Sequence, residues 1–396
     1  MKVSSINEKI IYTFLLFTLF FPVKFIYAYY SVTLFLILFF FFFNSKYSKK
    51  SFVLMVMGGF ISLIFINSVI SSIYLNSDFF RNFTEVFRFL PLFIIVLLYE
   101  KIEIEFKIII MIVGFYTIVN LTVNILQFAH FSAINFVGDI YSSDIQVEKS
   151  LGVANRALGL SSGPGSNGAI SVVLSIIFLV NYFYGKEYRK YSIFLYFSSF
   201  LSVLLSQSQT GFVAISFISF LILTDFILKN INKKKIYRIF PFLISFILAL
   251  FYLLAIYWDK LKYLLTLFEM GTNRSSYEAR ENKVSYIFDI INQNQFFLWI
   301  GHGKDYIPFA TGMDNEYVFS LAIYGILGSM FLLIMMFYMI FFSYLGKDIY
   351  SKILFFYILV GFVIAWPSSF LTDTRIALIL FLFLALSQKS RSNLQV

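Results

Sequence analysis

Long apolar runs, separated by short breaks rich in charge, organise the whole chain. Measured against the ~20 residues that a helix needs to cross a bilayer, these runs predict about twelve spans. Their centres lie near Leu16, Phe35, Leu63, Ile94, Ile118, Leu174, Ser198, Phe217, Ile247, Phe331, Leu359 and Phe381. The first, fourth and last runs are short, which tilt, a re-entrant path or extension into flanking residues accommodates. Lys24 and a second apolar run follow the first at once, without a small-residue cleavage pattern, so the first run is predicted to stay in the mature protein. No internal repeat is evident, which weighs against an inverted-repeat transporter. The predicted fold class is an all-α polytopic integral membrane protein, a single transmembrane domain over residues 1–396.

The breaks predict orientation. With a cytoplasmic N-terminus, the segments "NSKYSKKS", "EKIEIEFK", "GKEYRKY", "KNINKKKIYR", "GKDIYSK" and "SQKSRSNLQV" all fall on one side. Together with the N-terminal segment they hold about 19 of the 31 basic residues, as positive-inside topology requires. Both termini are then cytoplasmic. Two long loops, about 129–168 and 259–316, lie on the opposite side, with a shorter one near 74–87 and the turn "PSSFLTDTR". Long loops gathered on one face are where function concentrates.

Composition strengthens the membrane assignment and narrows the chemistry. The chain is 60% hydrophobic and 13% charged, far from soluble domains. Its 54 Phe and 27 Tyr are read as packing residues in lipid rather than as an aromatic site. The absence of cysteine excludes disulfides, thiolate metal sites and a cysteine nucleophile. His130 and His302 alone are too few for a histidine metal cage. No metal or other cofactor is expected. The net charge of +10 is assigned to topology, so no nucleic-acid partner is expected.

The first long loop contains "VANRALGLSSGPGSNGAISVV", a glycine-rich backbone in which Ser-Asn-Gly can cap a helix beginning near Ala169. Arg156 precedes it, and a helix N-terminus with an arginine beside it suits an anion. An ordinary loop with a solvated arginine fits the same residues. In the second loop Val284, Ile287, Phe288 and Ile291 mark an amphipathic helix along the membrane surface. The same period carried backward puts Tyr277 and Arg280 on the apolar stripe, so Arg280 is expected to face inward, paired with Glu281, Glu278 or a bound anion. Arg274 is nearer the loop start and is read as solvated. Guanidinium forks match phosphate oxygens two at a time, so Arg156 and Arg280 are a candidate diphosphate clamp if their loops meet.

The segment "GHGKDYIPFATGMDNEYVFSLAIYGILG", residues 301–328, runs from a charged loop straight into an apolar helix. Charge so near hydrocarbon is either pinned or put to use. Asp314 is a candidate general base, with Glu316 as its alternative, and Asn315 is an orienting or sugar-binding amide. Helix capping equally favours Asp or Asn just before an apolar run. Gly325 and Gly328 are expected to permit close helix packing. Ser206, Ser208, Gln209 and Thr210 in "LLSQSQTGF" could bind sugar hydroxyls or join helices, and Arg88 is read as a substrate contact or a snorkelling interfacial arginine.

Taken together these segments resemble the bacterial O-antigen and capsule repeat-unit polymerases, which share a superfamily with the O-antigen ligases. The likeness rests on span number, cytoplasmic ends and two long outer loops, and on "RALGLSSGPGSNGAI", "SQSQTG", Arg280 with "WIGHGKDY", and "DNEYVFSLAIYGILG". Gln209 stands where the family's turn has arginine, Pro164 and Asn167 are separated by two residues, and Asp314 stands where the ligases usually carry histidine. The resemblance implies a glycosyltransferase-C-like, metal-independent enzyme of the bacterial plasma membrane. It further implies that Arg156 and Arg280 hold the donor's diphosphate, with Asp314 the third catalytic residue; Arg88, Asn167, Arg274, Asn315, Glu316 and Tyr317 are the candidate substrate-binding residues. The implied partners are a polyprenyl-diphosphate-linked oligosaccharide, membrane lipid, and a chain-length regulator and flippase of the same pathway. A ligase for finished glycan and a lipid or polysaccharide transporter are the alternatives.

Overall fold

The computed structural model describes residues 3–42, 52–101, 104–185, 188–230, 244, 263, 275–308 and 315–392. The described residues are helical and contain no strand. In chain order the helices are α1 (Val3–Phe20), α2 (Ile26–Phe42), α3 (Phe52–Leu75), α4 (Phe79–Leu97), α5 (Phe106–Phe128), α6 (Asn135–Tyr141) and α7 (Asp144–Val147). They continue as α8 (Pro164–Tyr184), α9 (Arg189–Leu205), α10 (Gln209–Asn230), α11 (Ser275–Asn292), α12 (Gln295–Ile300), α13 (Glu316–Tyr344), α14 (Ile349–Ala365) and α15 (Thr374–Ser392). Every predicted span centre except Ile247, which lies outside the described residues, falls on one of these helices. Among the described residues α3, α5, α8, α10 and α13 are long and apolar enough to cross a membrane, so the chain is a helical membrane protein.

Two compact units make up the chain. One comprises residues 1–14, 27–103 and 272–396, in which α13 packs on α3 and α14, and α15 packs on α14 and α4. The other comprises residues 15–26 and 104–271, where α8 packs on α5, α9 and α10. The run Ile170–Val180 on α8 is wholly buried, which marks α8 as the core of its unit.

Short polar side chains start the helices where the pattern turns apolar. Asp78 caps α4 by accepting from Phe80 N at 2.8 Å, and Asp348 caps α14 by accepting from Ser351 N at 2.9 Å. The first long loop proves largely helical: it holds α6, α7 and a π-helical turn, Glu148–Val153. The helix expected to begin near Ala169 begins at Pro164, because proline suits the first helical position, where no N–H partner is needed.

Candidate functional site

In the second unit, amide side chains from α5 hold the glycine-rich loop. Asn120, Asn124 and Gln127, spaced i, i+4 and i+7, share one face of that helix and are all buried. Gln127 Oε1 accepts from Leu158 N (2.9 Å) and Gly159 N (2.8 Å), and Asn120 Oδ1 accepts from Leu160 N (2.9 Å). Asn120 Nδ2 donates to Asn167 Oδ1 at 2.9 Å, and Asn167 Nδ2 donates to Asn124 Oδ1 at 2.7 Å. Asn167, expected to bind substrate, is therefore a buried member of the loop's support. Gly159 sits at φ +57°, where a side chain is strained and would collide with this network.

Arg156 emerges from that support half-buried. Its Nε donates to Ser206 O at 3.3 Å and its guanidinium lies 4.1 Å from the Tyr263 ring centre. Gln207 Nε2 donates to Asn155 O and Gln209 Nε2 to Tyr263 O, both at 2.9 Å. The "SQSQTG" turn and the arginine–glycine loop thus meet, and Gly168 and Gly211 leave room for Ser208 between them.

The first unit holds a buried ionic cluster that sequence reasoning missed. Glu85 on α4 accepts from Lys304 Nζ (2.7 Å), Arg88 Nη1 (2.6 Å) and Tyr324 Oη (2.6 Å). Arg88 Nε reaches Tyr30 Oη at 3.4 Å, and the Arg88 guanidinium lies 5.9 Å from the Phe319 ring centre. The Arg88 side chain is only 12% exposed, so it does not snorkel. Asp305 bonds Arg81 Nη1 and the Asp78 N–H, both at 2.8 Å.

The Lys304 loop is seated in a broken helix. At Gly325, φ +67° and ψ −173° interrupt α13, and the carbonyls freed above the break accept from the loop. His302 N donates to Ala322 O at 2.9 Å, Gly303 N to Ile323 O at 3.3 Å, and Asn67 Nδ2 to Ile323 O at 2.8 Å. The expectation for Gly325 is corrected: it makes the break, since a Cβ there would strike Gly301 N and Trp299 O. Gly328 does serve close packing, against Leu63 and Phe60. His302 is buried between Phe297 and Tyr306, and its Nδ1 has no hydrogen-bond partner among the described residues.

The remaining predicted residues divide between structural contacts and the surface. Asn315 caps α13, with Oδ1 accepting from Tyr317 N (3.0 Å) and Val318 N (3.1 Å). Glu316 is buried, and its carboxylate accepts from the N–H groups of Phe370 (2.5 Å), Leu371 (2.9 Å) and Thr372 (2.7 Å). Tyr317 Oη donates to Phe362 O at 3.0 Å. On α11 the buried stripe is Ile287, Ile290 and Ile291 rather than one including Phe288, which is 40% exposed. Arg280 is exposed rather than packed on that stripe, so the expected inward-facing arginine is corrected. Arg274 and Asp314 lie outside the described residues. Arg156 belongs to the second unit and Arg280 to the first. No group of three His, Asp or Glu side chains gathers among the described residues as a metal site needs. Compared with protein-family models and with curated proteins, the chain matches none.

Proposed function

We propose that the chain is a glycosyltransferase of the bacterial plasma membrane that joins oligosaccharide repeat units carried on polyprenyl diphosphate. The observation that carries the reading is Arg156: a half-buried guanidinium stacked on Tyr263, presented by a loop whose backbone is fixed by four buried amides. A preorganised cation is what a diphosphate leaving group demands, because negative charge grows on it as the bond from the sugar's anomeric carbon to the phosphate oxygen breaks. Arg280 is the second guanidinium of this scheme. The acceptor hydroxyl forms the new glycosidic bond and gives its proton to Asp314. Glu316, buried with its oxygens engaged by three N–H groups, is the alternative acceptor. In this scheme both termini are cytoplasmic and the reaction takes place at the outer face.

Cells lacking the gene should show surface glycan reduced to one repeat unit on a polysaccharide gel, with the ladder returning on complementation. Arg156→Ala should not restore it while accumulating normally in the membrane. A normal ladder from both Arg156→Ala and Arg280→Ala refutes the proposal. The Glu85–Arg88–Lys304 cluster favours one alternative, a lipid or polysaccharide transporter, since charges among apolar helices mark transport paths. A transporter moves the lipid-linked unit and forms no new glycosidic bond, so purified protein with that substrate in liposomes separates the two.

A further inference from the structure

Polarity is inverted around α12 and the loop after it. The polar members, His302 and Lys304, are 2% and 9% exposed, while Phe296 and Trp299 are each 53% exposed. A loop in water would turn these residues the other way, because leaving aromatic surface exposed while burying a lysine costs on both counts.

The depth of this segment can be read against neighbouring helices of the same unit. Ile300 O accepts from Asn67 Nδ2 at 2.6 Å. Asn67 lies eight residues before Leu75, the end of α3, which is about 12 Å at 1.5 Å per residue. Ile323, bonded to Gly303 N, lies seven residues after the start of α13, or about 11 Å along it. Two spanning helices therefore place the turn at a similar depth. No charged residue follows Glu316 within α13 to bring water to that level. The chain then climbs: Lys304 meets Glu85, about 9 Å into α4, and Asp305 meets Asp78 at its cap.

We propose that residues 295–305 form a re-entrant segment, entering the bilayer with α12, reversing at Ile300 and Gly301, and leaving along α4. Phe296 and Trp299 face the hydrocarbon chains of membrane lipid. Non-helical backbone is tolerated at that depth only where protein satisfies its polar groups. Several of the turn's backbone groups are held this way: His302 N and Gly303 N take the carbonyls freed at Gly325, Ile300 O takes Asn67, and Asp305 N donates to Asn82 Oδ1 at 2.8 Å. Lys304 pairs with Glu85 at 2.7 Å. With a hydrocarbon core of ~30 Å, a turn 11–12 Å in from the helix ends lies within one leaflet. The inference depends on the spanning helices and not on the chemistry proposed above.

The chain contains no cysteine, so single cysteines report without background. Phe296→Cys and Trp299→Cys should resist a membrane-impermeant maleimide in liposomes, while Ser285→Cys and Asp289→Cys on the exposed face of α11 react. Phe296→Cys reacting as fast as Asp289→Cys overturns the proposal. A second measurement leaves the rings in place: with Trp258→Phe and Trp366→Phe, the remaining Trp299 should be quenched several-fold more by lipids brominated on the acyl chain than by aqueous acrylamide. The reverse order also overturns it.

Discussion

Glu85→Ala removes one carboxylate and strands two cations. Glu85 is 1% exposed and is the common acceptor for Lys304, Arg88 and Tyr324. The Arg88 and Lys304 side chains are 12% and 10% exposed, so water cannot replace the lost partner and screening discounts little. Removing one member of a buried ion pair typically costs about 3–5 kcal/mol. Against total stabilities of about 5–15 kcal/mol, that is a large share. Equilibrium unfolding in mixed detergent–lipid micelles, followed by helical circular dichroism, measures it. A companion double variant sharpens the reasoning: Glu85→Gln with Lys304→Met leaves one stranded cation rather than two. It should recover about 1–3 kcal/mol relative to the sum of the single variants. A cost for Glu85→Ala below about 1 kcal/mol, or additive single variants, would refute the account of the cluster as a mutually dependent buried network.

Gly325→Ala should destabilise the protein by about 1–3 kcal/mol, since its backbone region suits glycine and the new methyl meets Gly301 N and Trp299 O. Limited proteolysis within residues 301–308 should accelerate with it, and unchanged cleavage contradicts the seating of the loop in the break. Glu316→Gln, which cannot accept from all three N–H groups as a charge, should cost about 2 kcal/mol by the same unfolding assay.

How far the sequence could be read depended on the separation of the residues concerned. Period and length sufficed for apolar helices, because spanning is a local property of about 20 residues. The α4 cluster left a partial trace: Asn82, Glu85 and Arg88 recur every third residue on one face of a mainly apolar helix, and buried polar spacing of that kind signals a network. Its partner Lys304 lies 219 residues away in sequence, which no periodicity reveals. The same holds for Asn120, Asn124 and Gln127, whose i, i+4, i+7 spacing was visible and whose target, the Arg156 loop, was not. Residues 301–328 show the mismatch most clearly. Their charges were expected to be either pinned or used, and Gly325 to be a packing residue. Lys304 is pinned, and Gly325 is what permits it, because a helix with all its carbonyls engaged has none left for His302 N and Gly303 N. A glycine in an apolar helix beside a charged loop is therefore better read as a break that receives the loop than as a contact between two smooth helices.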